Sequence, residues 1–367
     1  MSLIASRDKN LKTVVLGAGL MGRLLATELA RQGHSVSLFD AHGPNAQGAA
    51  ARVAAAMLAP LAESAVTEMS VVQMGQYALT RWPALLETLR TPVFFQQSGT
   101  LVVWHRQDAA EASRFARQLE STQRQIPTLP SAQSVDGQQI SALEPALGTR
   151  FAQGYFLPDE GQLDNRQLLD SLLNEFEPLK IDLHWHSPRT LCDFHDYPGW
   201  VFDCRGLGGH PEWPSLRGVR GEVIRVHAPE VTLNRPVRLI HPRYPLYIAP
   251  KPDHLFVIGA TEIESADMSP VSVRSAMELL SATYAVHSGF AEARIIDMSA
   301  HCRPALPDNL PAVRVVGHHR VQINGLYRHG FLIAPAVLDA VIELINHDTS
   351  PLAEKLGLTI DNTPLKP

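Results

Sequence analysis

The apolar positions of the chain follow two rhythms, and the first 40 residues contain both. Thr13-Val14-Val15-Leu16 is a short β-branched run that enters a glycine turn. Beyond it, Leu20, Leu24, Leu25 and Leu29 recur at helical spacing, which predicts a helix over Leu20 to Gln32 with Gly33 as its stop. Ser35 to Phe39 reads as a second strand ending at Asp40, so the chain opens on a βαβ unit with a short crossover. Further helices are predicted over Val71 to Leu89, Ala109 to Arg124 and Gln167 to Phe176. Val93 to Trp104 reads as paired strands around Ser98-Gly99, and Trp200 to Asp203 as a strand running into Arg205-Gly206-Leu207-Gly208-Gly209.

From Arg220 to Ala260 the rhythm changes to short β-rich runs separated by proline, such as Gly221 to Val226 and Leu246 to Ile248. That style predicts an antiparallel sheet, unlike the N-terminal unit. Ser272 to Tyr284 is helical by spacing, and a last helix is predicted over Ala336 to Asn346, entered through Pro335. The fold class is therefore α/β, with a second, antiparallel layer.

Composition narrows the function classes. The 367 residues are too many for one simple core and suit two domains. Thirty-two basic against 37 acidic side chains give a formal charge of −5, without the concentrated basic face a nucleic-acid partner needs. Cys192, Cys204 and Cys302 form no CxxC pair, which predicts reduced thiols, no structural zinc and a cytoplasmic protein. His301, His318, His319 and His329 lack metal spacing with acids, so no metal is expected. Met1 to Leu11 is polar, with no apolar run of a leader. The Ala-rich stretch Ala46 to Ala65 is broken by Arg52, Pro60 and Glu63, so no membrane span is expected there.

Gly17-Ala18-Gly19-Leu20-Met21-Gly22 fits G-x-G-x-x-G between strand and helix, and Asp40 ends the next strand. Gly17 permits the sharp turn, Gly19 lets a pyrophosphate approach the backbone, and Gly22 lets helix and strand pack closely. The free N–H groups at Leu20 and Met21 and the positive helix end face the phosphates. Asp40 suits a ribose diol and would repel a 2′-phosphate. The fingerprint predicts a dinucleotide and does not separate FAD from NAD.

A resemblance carried by several ordered motifs does. They are Ala54-Ala55-Ala56-Met57-Leu58-Ala59-Pro60, Ser98 to Val103, Gly161 to Arg166, Asp203-Cys204-Arg205-Gly206-Leu207-Gly208, Leu246-Tyr247-Ile248-Ala249-Pro250, His301 to Asp308 and Tyr327-Arg328-His329-Gly330-Phe331-Leu332-Ile333-Ala334-Pro335. Over nearly its whole length the chain resembles the D-amino-acid-oxidase-type flavoprotein family, and most of all its glycine oxidase branch associated with thiamine biosynthesis. Two positions depart from the family pattern: Ala56 replaces a Gly, and His329 replaces an Asn.

The resemblance implies non-covalent FAD in a Rossmann-type, glutathione-reductase-like domain made of residues 1–90, 149–212 and 300–367. A substrate domain with an antiparallel β-sheet and helices would take 91–148 and 213–299. Ala55, Ala56, Met57 and Leu58 would lie beside the flavin ring, with Gly206, Leu207 and Gly208 near the cofactor. Arg328, His329, Gly330, Phe331 and Leu332 would form the flavin-facing loop. Arg303 would clamp a substrate carboxylate through two parallel hydrogen bonds. Tyr247 would add its hydroxyl, and Arg328 would serve the carboxylate or the flavin edge. The implied reaction is hydride transfer from the α-carbon of glycine or another small amino acid to flavin N5. Imine hydrolysis and reoxidation by O2 would follow, giving H2O2, and the glycine imine would serve thiamine thiazole synthesis. Two alternatives stay open: a dehydrogenase with a quinone or protein acceptor, and a flavoprotein acting on a protein partner. A homo-oligomer is compatible with the sequence.

Overall fold

Buried on all but its first residue, the run Lys12–Leu16 (β1) is a central strand, as a β-branched run between two parallel neighbours should be. The computed structural model describes residues 11–242, 246–317 and 319–362; His318 and most of the polar N-terminal stretch lie outside the described residues. The first sheet runs Thr359–Asn362 (β18), Ala312–Val315 (β16), Arg320–Asn324 (β17), Trp200–Asp203 (β10), β1, Ser35–Phe39 (β2) and Asp182–His184 (β9). All its pairs are parallel except β16–β17. Helices Leu20–Arg31 (α1), Met69–Glu87 (α2), Asn165–Phe176 (α4) and Gly330–His347 (α6) pack with it into the largest apolar core.

The second sheet runs Arg294–Ala305 (β15), Arg217–His227 (β11), Leu255–Gly259 (β14), Leu246–Lys251 (β13), Val237–Ile240 (β12), Thr100–Trp104 (β5), Gln153–Leu157 (β7) and Gln133–Asp136 (β6). It is antiparallel throughout but for the β12–β5 pair. Helix Val273–Val286 (α5) covers one face of it, and Ala109–Gln125 (α3) lies near β5 through Leu119. A small sheet of Met57–Leu58 (β3), Gly161–Leu163 (β8) and Phe95–Gln96 (β4) stands at the joint of the two.

Three expectations change. The strands on either side of Ser98-Gly99 do not pair with each other: β4 pairs with β8, and β5 with β7 and β12. Thr100–Trp104 is buried at every position, and the two-residue β4 is too short to cover it. By sheet membership, the boundary placed at 149 falls before β7 of the second sheet, and the one at 300 falls inside β15.

The last helix starts at Gly330 rather than Ala336, with Pro335 inside it. A proline there strips the Phe331 carbonyl of its helical partner. The Trp82 indole fills the gap from α2, donating to that carbonyl at 2.9 Å. Tyr327–His347 has the length and apolarity to cross a membrane, but most of it is buried between α2 and the first sheet.

Candidate active site

The turn after β1 is built as the fingerprint predicts. Gly17 has φ +92°, and a Cβ there would lie 2.8 Å from the Cys204 carbonyl and the Arg205 Cα. A Cβ on Gly22 would overlap the Gly17 carbonyl, so the third glycine serves helix–strand packing and does not face the cavity. No side chain caps α1 at Gly19 and its first turn holds no acid, so its leading N–H groups stay available to an anion. Asp40 accepts hydrogen bonds from Ala18 N at 2.6 Å and His42 N at 2.7 Å, which draws the carboxylate against the turn.

Sequence reasoning missed the cation beneath this turn. Arg23 is fully buried and donates to the carbonyls of Ala18 (2.8 Å), Leu169 (2.7 Å) and Pro44. Burial lowers its pKa to about 10. It ties the glycine turn to α4 and to the loop after β2.

From this turn a cavity of about 1110 Å³ runs between the two sheets. That is just above the range of about 300–1,000 Å³ for small-molecule sites, room for a dinucleotide and a small substrate together. Gly17, Gly19, Leu20, Met21 and Asp40 line one end, with Gly206, Leu207 and Gly208 beside them. Ala55, Ala56 and Met57 line the middle, whereas Leu58 is fully buried in the core and forms no cavity wall. Ala56 has φ +53°, a conformation that favours glycine, which explains the Gly of the family pattern. Arg328, His329, Gly330, Phe331 and Leu332 close the far side. Because α6 begins at Gly330 without a side-chain cap, its free N–H groups reach the cavity directly. Small-residue walls, two uncapped helix starts and an acid at the end of β2 fit the dinucleotide expected from the sequence.

Arg303, Tyr247 and Arg328 all reach this cavity, but they are not equivalent. Arg303 Nη2 donates to the Thr261 carbonyl at 3.1 Å, and no carboxylate pairs with Arg303 among the described residues. Its guanidinium lies over Gly221, where a Cβ would overlap it. Tyr247 lies over Gly259 in the same way: a Cβ there would come 2.7 Å from the hydroxyl. These two glycines, on β11 and β14, are platforms for the two side chains. A glycine inside a strand signals close approach, so both were findable in principle.

Arg328 is already engaged. It donates to Glu262 at 2.7 Å and stands 3.4 Å from Glu63, which also pairs with Arg238 at 2.8 Å. Burial opposes charge on Glu63, but Arg238, Arg328 and His329 hold its pKa down to about 2. His329 is buried, with Nε2 3.3 Å from the Thr67 hydroxyl and Nδ1 3.6 Å from Glu63. Burial lowers its pKa to about 4, so it is neutral at pH 7. The expected second carboxylate-binding arginine is thus neutralised by two acids. Nothing in the sequence marked Glu63 or Glu262 as its partners.

Comparison with known proteins gives one picture. A family model described as FAD dependent oxidoreductase matches residues 12–344. A Rhizobium etli chain bearing the name thiamine biosynthesis oxidoreductase ThiO is 40% identical over 331 residues, which span 90% of this chain and 95% of that one. The crystal structure of glycine oxidase from Geobacillus kaustophilus superposes with a TM-score of 0.75 at 21% identity, covering 92% of this chain and 95% of that one. Iminodiacetate oxidase from Chelativorans sp. BNC1 gives 0.78 at 19% identity, covering 96% and 100%.

Proposed function

The chain belongs to the DAO family of FAD-dependent oxidoreductases, and from that premise we propose that it oxidatively deaminates glycine or a comparably small primary or secondary amino acid. It is an enzyme of the amino-acid oxidase class with FAD as cofactor. One observation carries the substrate reading: of the arginines in the cavity wall that are not exposed, Arg205, Arg238 and Arg328 each pair with a carboxylate, whereas Arg303 pairs with none among the described residues. A lone buried-facing guanidinium is a site for a ligand carboxylate, held through two parallel hydrogen bonds.

Arg303 binds and orients that carboxylate, and the Tyr247 hydroxyl supplies a further donor. Burial raises the Tyr247 pKa, so the phenol keeps its proton at neutral pH. The platforms at Gly221 and Gly259 hold both groups flat against the second sheet and leave the space above them to the substrate. Bound FAD supplies the two-electron acceptance that amino-acid side chains lack. The neighbouring acids do not act as proton acceptors at pH 7: Glu63, with a pKa of about 2, is fixed between cations. His329 is neutral but enclosed, with both ring nitrogens facing Thr67 and Glu63. That supports a reaction in which the substrate amine arrives neutral and no side-chain base is required.

The product of glycine oxidation is an imine, which hydrolyses to an oxo acid and ammonia. The relative named for thiamine biosynthesis suggests that the imine is also consumed in making the thiamine thiazole. O2 is the proposed electron acceptor. The test is anaerobic mixing of the FAD-loaded protein with glycine, sarcosine and other small amino acids, followed by air. Bleaching of the flavin and one H2O2 per turnover are expected. Bleaching without peroxide would make the enzyme a dehydrogenase, and no bleaching by any of them would end the amino-acid reading.

A further inference from the structure

The strand that carries Tyr247 carries a second polar group on the same face. Alternate residues of a strand share a face, so Tyr247, Ala249 and Lys251 of β13 point together toward the joint between the sheets. There Ala249 packs with Val223 and Val257 against Ala55, part of the cavity wall. Lys251 is 5% exposed and reaches across the joint. Its Nζ donates to the carbonyls of Ala55 at 3.0 Å and Leu163 at 2.7 Å, and to Gln162 Oε1 at 3.0 Å. All three donors of the ammonium are used, and no carboxylate pairs with it among the described residues. Two of the acceptors belong to β8, and the third is the residue before Ala56.

A buried cation without an acidic partner is costly, so neutral hydrogen-bonding groups must hold it in place. Burial lowers the pKa of Lys251 to about 7, with Asp164 opposing and Arg225 adding to the shift. The same joint holds a second such brace. Arg225 of β11 donates to Asn165 Oδ1, and Asn165 Nδ2 donates to the carbonyls of Ala51 (2.7 Å) and Arg52 (2.8 Å). Both braces start on the second sheet and end on the residues that lead into the left-handed Ala56.

We propose that Lys251 is a positioning residue: by holding the Ala55 carbonyl and β8 from the strand of Tyr247, it sets the distance between the substrate clamp and the cofactor wall. Its role in turnover rests on the amino-acid reading above; its role toward the cofactor does not. Removing it lets the 54–57 segment drift from the clamp without touching Arg303 or Tyr247.

The test compares the wild type with Lys251→Met, Lys251→Arg and, as a stability control, Val226→Ala, a core change on the other face of β11. Readouts are the FAD dissociation constant by fluorescence, the shape of the flavin absorbance bands, acetate affinity, and kcat and KM for glycine. For Lys251→Met a fall in kcat of about tenfold or more is expected. Altered flavin bands and weaker FAD binding should accompany it, with acetate affinity within about threefold of wild type. Lys251→Arg should recover part of the loss, and Val226→Ala should lower only the melting temperature. Wild-type bands, FAD affinity and kcat in Lys251→Met would overturn the proposal. If Lys251→Met does not fold, Lys251→Gln is read in the same assays, and wild-type values there would overturn it equally. Were no amino acid a substrate of the wild type, the FAD and band-shape arms would still decide.

Discussion

Gly221→Ala tests the platform under Arg303 without altering either clamp residue. The added Cβ would occupy space now held by the Arg303 guanidinium. The obstacle is the far end of a flexible side chain, so Arg303 swings away and the fold survives. The displaced guanidinium can no longer meet a carboxylate with two parallel bonds. Hydrogen bonds to charged groups are worth about 1.5–3 kcal/mol. At 1.4 kcal/mol per decade, losing about 2–3 kcal/mol raises KM roughly 30- to 140-fold. The fold itself should not suffer, because replacing Gly by Ala at ordinary dihedrals lowers unfolded-chain entropy by about 0.4–1 kcal/mol. Peroxide-coupled kinetics with glycine give KM and kcat, acetate titration of the flavin spectrum gives carboxylate affinity, and a thermal melt checks the fold. Weakened acetate and glycine binding with an unchanged or higher melting temperature is the expected pattern. A KM within threefold of wild type would refute the assignment of Arg303 to the carboxylate.

Three further outcomes follow from the geometry. His329→Asn should flatten the acid side of the stability curve. The folded His329 has a pKa of about 4 against an ordinary 6.5, so the unfolded chain takes up its proton first and stability falls as pH drops from 6.5 to 4. Asparagine removes that loss; the contribution of Glu63, present above 4.5 and lost as pH falls toward its folded value of about 2, remains. Equal slopes between pH 6.5 and 4 for variant and wild type in chemical denaturation would contradict this. Ala56→Gly removes the strain of a left-handed alanine, about 1–2 kcal/mol, but adds chain entropy of about 0.4–1 kcal/mol when unfolded, so the melting temperature should rise by up to about 2 °C; a fall would contradict it. Trp82→Phe leaves the Phe331 carbonyl buried without its donor. A loss of about 1–3 kcal/mol in denaturant unfolding is expected, and none would mean that another group takes the indole's place.

The sequence shows most where spacing is local. The opening βαβ unit, the glycine turn, the strand at Trp200 and the helices over 69–87 and 109–125 follow from periodicity within a few residues. The start of α6 did not, because a proline at its sixth position is tolerable only with Trp82 from α2, about 250 residues earlier, bonded to the orphaned carbonyl. For Arg303 the motif was legible, and its lack of a carboxylate ion-pair partner among the described residues was not. Arg328 has the same motif rank, yet its charge is met by Glu63 and Glu262, which arrive from other parts of the chain. Lys251 and Arg225 sit in strands that read as ordinary β-runs. Their role depends on a joint between two sheets, which no local pattern encodes.

The weave of the chain also fixes when the cavity can exist during synthesis. Gly17 is made early, but Cys204 and Arg205, which its turn abuts, come almost 190 residues later, and Gly330 about 300 residues later. At 5–20 residues per second a ribosome needs roughly 15–60 s to pass from Gly17 to Gly330. Throughout that interval the residues of the glycine turn are present without the wall that would trap a cofactor against them. Flavin capture is therefore a late event that reports a finished polypeptide. A nascent chain stalled short of α6 would stay colourless, and yellow colour itself becomes a measure of completed synthesis.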